Sequence, residues 1–219
     1  MEAMESLRNI PLFDGLDSDT LTELEKLVIR RKFARNAILF SKGDEGNTIY
    51  FIAAGRVKAV INDHNGREIV LNQFGPGEFF GEFALLDGKP RSATMVTKEA
   101  VEAIVIRRDD FQRLVLSQPD VMLELMQTLL KKLREATDKI ESLTFYNVYE
   151  RINQLLKNLA SPDEGGLVIC EKLTHKDIAN MVGASREMVS KIMKQLMDGG
   201  YIDVENRCLR IKKELPRNY

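Results

Sequence analysis

The sequence contains only two cysteines, Cys170 and Cys208, among its 219 residues. Two thiols are too few for a disulfide framework or for a four-thiolate metal site. No apolar run approaches the roughly 20 residues that a membrane-spanning helix needs, and the acidic, mixed start of the chain differs from a secretory signal peptide. We therefore expect a soluble protein that stays in the cytoplasm.

Catalytic signatures are also missing. The two histidines, His64 in a predicted hairpin turn and His175 at the start of a predicted helix, lie in different settings. The sequence has no Ser/His/Asp signature, no Walker loop and no metal-ligand spacing. We therefore predict that the protein is not an enzyme and holds no metal.

The composition favours a folded protein with an uneven charge distribution. Hydrophobic residues make up 44% of the chain and charged residues 30%, with 32 basic against 33 acidic side chains. Residues 168–219 nevertheless carry ten Lys and Arg against seven Asp and Glu. A mildly basic C-terminal part on an acidic body permits nucleic-acid binding there, although a surplus of three is weak evidence by itself.

The hydrophobic pattern changes along the chain. Residues 1–30 have helical spacing behind a cap at Asp17-Ser18-Asp19. Between residues 32 and 107, short β-branched and aromatic runs alternate with turns, which predicts a small antiparallel barrel or jelly roll. The predicted strands are Ala37–Phe40, Thr48–Ala54, Val57–Asn62, Glu68–Phe74, Ser92–Thr97 and Val101–Ile106. After residue 108 the pattern is helical, so the predicted fold class is α+β.

One helical segment carries a regular apolar stripe. Seven residues follow a four-three spacing over three heptads, the pattern of a coiled-coil seam. They are Met122, Met126, Leu129, Leu133, Ala136, Ile140 and Leu143. A long helix that follows a complete β-domain needs a partner for such a stripe, so we predict a parallel homodimer with a two-fold axis. The alternative is an ordinary helix packed on its own barrel.

Gly81, Glu82, Arg91 and Ser92 form the first candidate site. A glycine that opens a helical turn lets backbone N–H groups converge on an anion, and arginine adds a planar charged fork that suits a phosphate. A carboxylate repels a bare phosphate, so Glu82 indicates a ligand that also carries a hydroxyl donor. The combination predicts a sugar-phosphate pocket. The alternative is a tight strand connection with a Glu82–Arg91 surface ion pair.

The second candidate site lies between residues 173 and 196. Ala179, Gly183 and Val189 have the spacing of a helix-turn-helix, in which the small residue allows close approach, glycine makes the turn and the apolar residue packs the second helix. Ser185 would cap that helix, with Met188 in the core. The polar residues free to point outward are Arg186, Glu187, Lys191 and Lys194. The alternative is a plain helical hairpin with a solvated face.

The first site resembles the phosphate-binding cassette of cyclic-nucleotide-binding domains, through residues 80–85 and Pro90-Arg91-Ser92-Ala93. The resemblance implies that Glu82 bonds the ribose 2′-hydroxyl, and that Arg91 and Ser92 hold the cyclic phosphate. Backbone groups of Gly81, Phe83 and Ala84 would assist. In bacterial regulators of this kind the long helix also contacts the base, here at Ala136 and Thr137. A threonine–serine pair often stands there, so Ala136 departs from the pattern and bears on base selectivity.

The second site, at residues 183–187, resembles the recognition helix of the cyclic-AMP receptor protein and fumarate–nitrate regulator superfamily of bacterial transcription factors. The resemblance implies that Arg186 and Glu187 read a TGTGA-like half-site, with Lys191 where relatives have a third, arginine reader. Ser185 is a further DNA-contact candidate. His175 and Lys176, at the start of the preceding helix, are further DNA-contact candidates, although such a histidine is more often simply solvated. The hairpin of residues 201–211 resembles the family's wing, which would reach phosphates through Arg207 or Lys212.

The resemblance spans residues 10–212 and implies three parts. These are a cyclic-nucleotide-binding β jelly roll over residues 1–117, a dimerisation helix over 118–146, and a winged helix-turn-helix domain over 147–219. We predict a homodimeric transcription regulator that responds to cyclic AMP and binds double-stranded DNA at a palindrome. RNA polymerase is a further expected partner, and the loop predicted at residues 161–166 lies in a region that relatives use for it.

Two alternatives to this function stay open. One is the same fold with a different effector, such as cyclic GMP or cyclic di-GMP, or with none. The other is a nucleotide-binding regulatory subunit that controls a protein partner and never touches DNA.

Overall fold

A computed structural model describes residues 7–63, 68–163, 166–170, 173–205 and 208–216. The chain divides into two compact units, Met1–Lys132 and Leu133–Tyr219. Within the described ranges, no helix combines the length and the apolar character needed to cross a membrane.

The N-terminal unit begins with a 3-10 helix, Pro11–Phe13, and helix α1, Ser18–Leu27. The predicted cap is confirmed, because the Asp17 side chain accepts a hydrogen bond from the Thr20 backbone N–H at 2.7 Å. Leu21 and Leu24 are buried. These helices therefore pack into a hydrophobic core that they share with strands of the β-domain.

Two four-stranded antiparallel sheets form the β-domain. One has the order β1-β8-β3-β6 and the other β2-β7-β4-β5. The strands are β1 Ile29–Phe33, β2 Ile38–Phe40, β3 Thr48–Ala54, β4 Val57–Asn62, β5 Glu68–Phe74, β6 Phe79–Phe80, β7 Thr94–Thr97 and β8 Val101–Arg107. Buried residues from both sheets, such as Ile52, Val57 and Met95, pack into one cluster. The predicted jelly roll is confirmed, but β1 and β6 were not among the predicted strands.

Helices α2, Glu82–Asp87, and α3, Arg108–Ser117, precede the 27-residue helix α4, Pro119–Phe145. The first turns of α4 bury Val121 and Leu125 in the core of the N-terminal unit, and Leu129 packs against the same core. The idea that the helix packs on its own domain is therefore right for these turns, and Leu129 does not belong to a free seam. Met126, Leu133 and Ile140, at heptad spacing, are exposed.

The C-terminal unit combines three helices with one small sheet. The helices are α5 Val148–Leu159, α6 His175–Val182 and α7 Arg186–Asp198, and the strands are β9 Ser161–Asp163, β10 Gly166–Ile169, β11 Ile202–Glu205 and β12 Cys208–Ile211. The antiparallel sheet has the order β11-β12-β10-β9. Ile152, Leu156, Val189 and Leu196 are among the residues of its core.

Two features of this unit differ from the expectation. Residues 161–166 were predicted to be a loop, but Ser161–Asp163 pairs with β10, so this prediction is wrong for its described residues. Residues 164 and 165 lie outside the described part. Cys170 and Cys208 form a disulfide, with their Cα atoms 4.2 Å apart. Counting cysteines does not reveal this pair, because it depends on the register between β10 and β12.

Candidate ligand pocket and DNA-binding surface

Arg91, the candidate phosphate-binding residue, is only 5% exposed. Its Nη1 donates to the Gly81 carbonyl at 2.9 Å, and its Nη2 donates to the Thr48 carbonyl at 2.9 Å. The guanidinium also lies over the Phe40 ring, 4.1 Å from the centroid. Burial lowers the pKa of Arg91 from its ordinary value, because desolvation disfavours the charged form. Arginine nevertheless stays cationic at neutral pH, so this part of the structure holds a buried positive charge.

Two glycines allow the backbone to approach Arg91 closely. A Cβ atom on Gly46 would lie 2.6 Å from Arg91 Nε, and one on Gly81 would lie 2.6 Å from Nη1. Gly81 has a φ of +89°, the left-handed region that favours glycine. Arg91 Nε is buried and has no hydrogen-bond partner among the described residues. A buried cation with an unsatisfied donor fits an anionic ligand such as a phosphate.

Glu82, the first residue of α2, is also only 5% exposed. Its Oε1 accepts a hydrogen bond from Lys132 Nζ at 2.9 Å, and the same Nζ donates to the Phe79 carbonyl at 2.9 Å. Lys132 further lies 4.4 Å from the centroid of the Phe79 ring. The predicted alternative of a Glu82–Arg91 surface ion pair is therefore wrong, because both side chains are buried and Glu82 pairs with Lys132.

Sequence reasoning missed two residues that hold this site together. Lys132 precedes Ala136 by one helical turn, which is the only sequence signal that points to it. Arg108 Nη2 donates to the Gly46 carbonyl at 2.8 Å and also to the carbonyl of Ala84. Arg108 therefore fixes both the glycine beside Arg91 and the helix that carries Glu82.

The other predicted pocket residues differ in exposure. Ser92 and Phe83 are exposed, whereas Ala84 is buried. Thr137 is exposed in the C-terminal unit, and its hydroxyl donates to the Leu133 carbonyl at 3.0 Å. Gly81, Glu82, Ala84 and Arg91 thus lie together in the N-terminal unit, and Thr137 is described in the other unit.

The helix-turn-helix forms as its spacing predicts. Thr174 caps α6 in a capping box with Asp177, and Gly183 ends that helix with a φ of +65°. The Ser185 side chain then caps α7 by accepting from the Met188 backbone N–H at 3.2 Å. Ala179 and Val189 are buried where the predicted motif needs them. Residues of both helices, and Ala184 between them, belong to one packed core.

Helix α7 presents a polar face. Arg186, Glu187, Lys191 and Lys194 are exposed, as predicted. Met188 is 45% exposed, so its predicted core position is wrong. The reason is geometric: Val189, Ile192, Met193 and Leu196 already form the buried stripe of α7, and Met188 lies beside it.

The remaining DNA-contact candidates have different surroundings. His175 Nδ1 lies 2.9 Å from Ser190 Oγ, which joins the start of α6 to α7. Lys176 is exposed. Lys212 forms ion pairs with Asp203 at 2.6 Å and Glu205 at 3.2 Å, and the hydrogen bond to Asp203 raises its pKa. Arg207 lies outside the described residues.

Models of two known domains match the two parts of the chain that contain the candidate sites. Residues 30–118 match the model of the cyclic nucleotide-binding domain, and residues 150–214 match that of the Crp-like helix-turn-helix domain. The chain is 30% identical over 211 residues to the CRP-like cAMP-activated global transcriptional regulator of Mycobacterium tuberculosis, covering 94% of each protein. It is 32% identical over 184 residues to the cAMP-activated global transcriptional regulator CRP of Salmonella typhimurium, covering 81% of this chain and 87% of that protein.

A solved structure is also similar. The c-di-GMP responsive global regulator CLP of Xanthomonas campestris superposes with a TM-score of 0.77 at 26% identity, covering 90% of this chain and all of the other. The relatives are transcription regulators and not enzymes. Because both domain models match and the two regulators align with 94% and 81% of the chain, the protein belongs to the CRP/FNR family of transcription regulators.

Proposed function

We propose that the protein is a homodimeric regulator that binds cyclic AMP in the N-terminal unit and a palindromic TGTGA-like DNA site through the C-terminal unit. The observation that carries the proposal is the buried Arg91, whose Nε lacks a partner among the described residues and which lies near the buried Glu82. A buried cation and a buried carboxylate together suit a ligand that carries both a phosphate and a hydroxyl.

Each pocket residue would contact a different part of the ligand. Arg91 and Ser92 would hold the cyclic phosphate, with backbone groups of Gly81, Phe83 and Ala84. Glu82 would accept from the ribose hydroxyl and keep its bond to Lys132. Thr137 of the long helix is the proposed base contact. The cAMP-activated relatives support cyclic AMP as the effector.

The exposed apolar residues of α4 support a dimer. Met126 is 48% exposed, Leu133 63% and Ile140 66%, and they lie one heptad apart. Such a stripe is typical of a coiled-coil seam and suits a second copy of the same helix. The homodimer would present two α7 helices to successive major grooves, with half-sites one turn of DNA, about 34 Å, apart.

Three residues of α7 would read the half-site. Arg186 suits a guanine edge, Glu187 suits cytosine N4, and Lys191 adds a donor without the bidentate fork of arginine. The proposed contacts to the DNA phosphate backbone come from Ser185, His175, Lys176 and Lys212. Cyclic AMP would increase the population of the form that binds DNA. Because DNA and RNA polymerase would be its partners, we place its action in the cytoplasm.

Calorimetric titration with cyclic AMP tests the pocket. The wild type should bind saturably, and Arg91→Ala should lose binding by about 100-fold or more, because a charge-assisted contact to the phosphate disappears. Arg113→Ala is the matched control, since Arg113 is an exposed arginine of the same unit. Equal binding by Arg91→Ala and the wild type would contradict the pocket.

Cyclic di-GMP is the second candidate effector. Ala136 departs from the usual base-contacting pair, and the structurally similar CLP is described as c-di-GMP responsive. Parallel titrations with cyclic AMP, cyclic GMP and cyclic di-GMP decide between them. Saturable binding of cyclic di-GMP alone would overturn the cyclic AMP assignment and leave the family membership intact.

Fluorescence anisotropy tests the DNA contacts. A duplex with two inverted TGTGA half-sites should bind more tightly than one with an extra half-turn between them. Arg186→Ala should cost about 1–3 kcal/mol and relax selectivity at one base pair, whereas Lys157→Ala, an exposed lysine of α5, should have little effect. Equal binding to both duplexes would favour a regulatory subunit without sequence-specific DNA binding.

A further inference from the structure

The disulfide joins two strands at the end of the C-terminal sheet. Ile169, the last residue of β10, pairs with Leu209 of β12. Cys170 and Cys208 are therefore the next antiparallel pair, and their Cα atoms are 4.2 Å apart. This separation is close to the roughly 4.5 Å typical of antiparallel residues that face each other without exchanging backbone hydrogen bonds, so the two side chains lie directly opposite each other.

The location of the disulfide matters for the DNA-binding surface. Cys208 begins β12 and pairs with Glu205 at the end of β11, so it lies at the turn end of the proposed wing hairpin. Cys170 lies four residues before Thr174, the residue that caps α6. The cysteines are 38 positions apart, and the segment between them includes α6, α7 and β11, so the covalent loop contains the whole helix-turn-helix.

Both sulfur atoms belong to residues that small reagents can reach. Cys170 is exposed and Cys208 is half-buried. The sequence contains no other cysteine, so thiol chemistry is confined to this pair. A regulator that acts on DNA in a thiol-reducing compartment keeps a disulfide only transiently, and such disulfides are usually redox-sensing or catalytic. Exposure makes this pair accessible to exchange.

We propose that Cys170 and Cys208 form a reversible, peroxide-sensitive crosslink that fastens the wing hairpin to the strand before α6 and thereby raises DNA affinity. The affinity part rests on the proposed function. One thiol loses its proton, and the thiolate attacks hydrogen peroxide, which breaks the O–O bond and leaves a sulfenic acid and a hydroxide; the hydroxide takes up that proton and becomes water. The second thiol attacks that sulfur and releases a second water. Two thiols lose two electrons, and one peroxide gains them. A dithiol reductant reverses the bond by exchange.

The disulfide is expected to raise, not lower, DNA affinity because it preorganises the binding segment. The disulfide occurs in the geometry in which α6, α7 and the hairpin already share one core. A crosslink that holds a binding segment in its packed conformation lowers the entropy lost on binding. Reduction frees the end of the sheet without removing any proposed DNA contact. The oxidised protein should therefore bind DNA more tightly, by about three- to ten-fold.

The test compares the full-length protein reduced with dithiothreitol and oxidised with hydrogen peroxide. Intact mass should show the loss of two hydrogens on oxidation, and thiol titration should fall from two groups to none. Anisotropy with the palindromic duplex should show the tighter binding of the oxidised form, which dithiothreitol reverses. The double variant Cys170→Ser/Cys208→Ser is the matched control and should bind equally after either treatment.

Hydrogen exchange measures the effect of the crosslink on the sheet independently of DNA binding. Amides of β11 and β12 should exchange more slowly in the oxidised wild type than in the reduced wild type, with no such difference in the double variant. Thiols that persist under peroxide, or unchanged exchange despite a disulfide, would overturn the switch. Unchanged DNA affinity with altered exchange would overturn its regulatory role. DNA binding by neither form would instead disprove the proposed function, and the exchange data would still decide the crosslink.

Discussion

In the N-terminal unit the charged side chains of the candidate pocket are buried, whereas the charged side chains of α7 are exposed. Glu82 and Arg91 are each only 5% exposed, and both make hydrogen bonds within the protein. Arg186 and Glu187 lie on the surface of a helix whose opposite side forms the core. The difference suits two kinds of ligand. A small ligand is enclosed by buried groups, whereas a polyanion such as DNA attracts exposed basic side chains, with an affinity that depends on the salt concentration.

This comparison implies that ligand binding and folding stability depend on the same side chains in the first site and on different side chains in the second. Burying a charge is unfavourable unless it is paired and hydrogen-bonded, so each pocket residue depends on its neighbours. An exposed side chain on α7 has no such dependence. Substitutions in the two units should therefore differ in their effect on the free energy of unfolding.

The largest effect is expected from Lys132→Met. This change leaves Glu82 buried without its ammonium partner, and breaking a buried pair in this way typically costs about 3–5 kcal/mol. Urea denaturation followed by circular dichroism measures the loss. Lys26→Met is the surface control, because Lys26 and Glu23 form an exposed pair that contributes at most about 1 kcal/mol.

A second variant separates the pair from the packing of the methionine. Glu82→Gln combined with Lys132→Met removes both charges and should recover most of the lost stability, since no buried charge remains. The comparison between the two units would fail if the single and double variants were equally unstable, or if Lys26→Met cost as much as Lys132→Met.

The next effect is expected from Gly46→Ala. The added Cβ would lie 2.6 Å from Arg91 Nε and 2.7 Å from the Ala84 Cβ, so Arg91 has to move. Overpacking of this kind costs about 1–3 kcal/mol, and cyclic AMP affinity should fall together with stability. Gly75→Ala is the matched control, because its Cβ would meet only Glu78 Oε2 at 3.9 Å. Unchanged calorimetric titration of Gly46→Ala would show that the position of Arg91 does not limit binding.

The sequence predicted some strands accurately and missed others, for physical reasons. Strands β3, β4 and β5 were predicted to the residue, since their β-branched and aromatic runs end at turns. Strand β1 was missed because Arg30-Arg31-Lys32 is charged, and it lies at the edge of its sheet, where charged side chains are tolerated.

The sequence pattern could not predict contacts between residues that are distant in the chain. Lys132 pairs with Glu82 across 50 positions of the chain, and Cys170 pairs with Cys208 across 38. Local spacing contains neither pairing, because the first depends on where a helix packs and the second on strand register. The cassette itself was found because its glycine, carboxylate and arginine lie close together in sequence.

The smallest effect is expected from Met188→Ala in α7. Met188 is 45% exposed, so its truncation should change the free energy of unfolding by less than about 0.5 kcal/mol. Met193, on the same helix, is 3% exposed, and Met193→Ala should cost about 2–5 kcal/mol through the cavity that it leaves. Urea denaturation of the two variants measures both values. A large loss for Met188→Ala would mean that the outer face of α7 also supports the fold, and recognition and stability would then be coupled in both units.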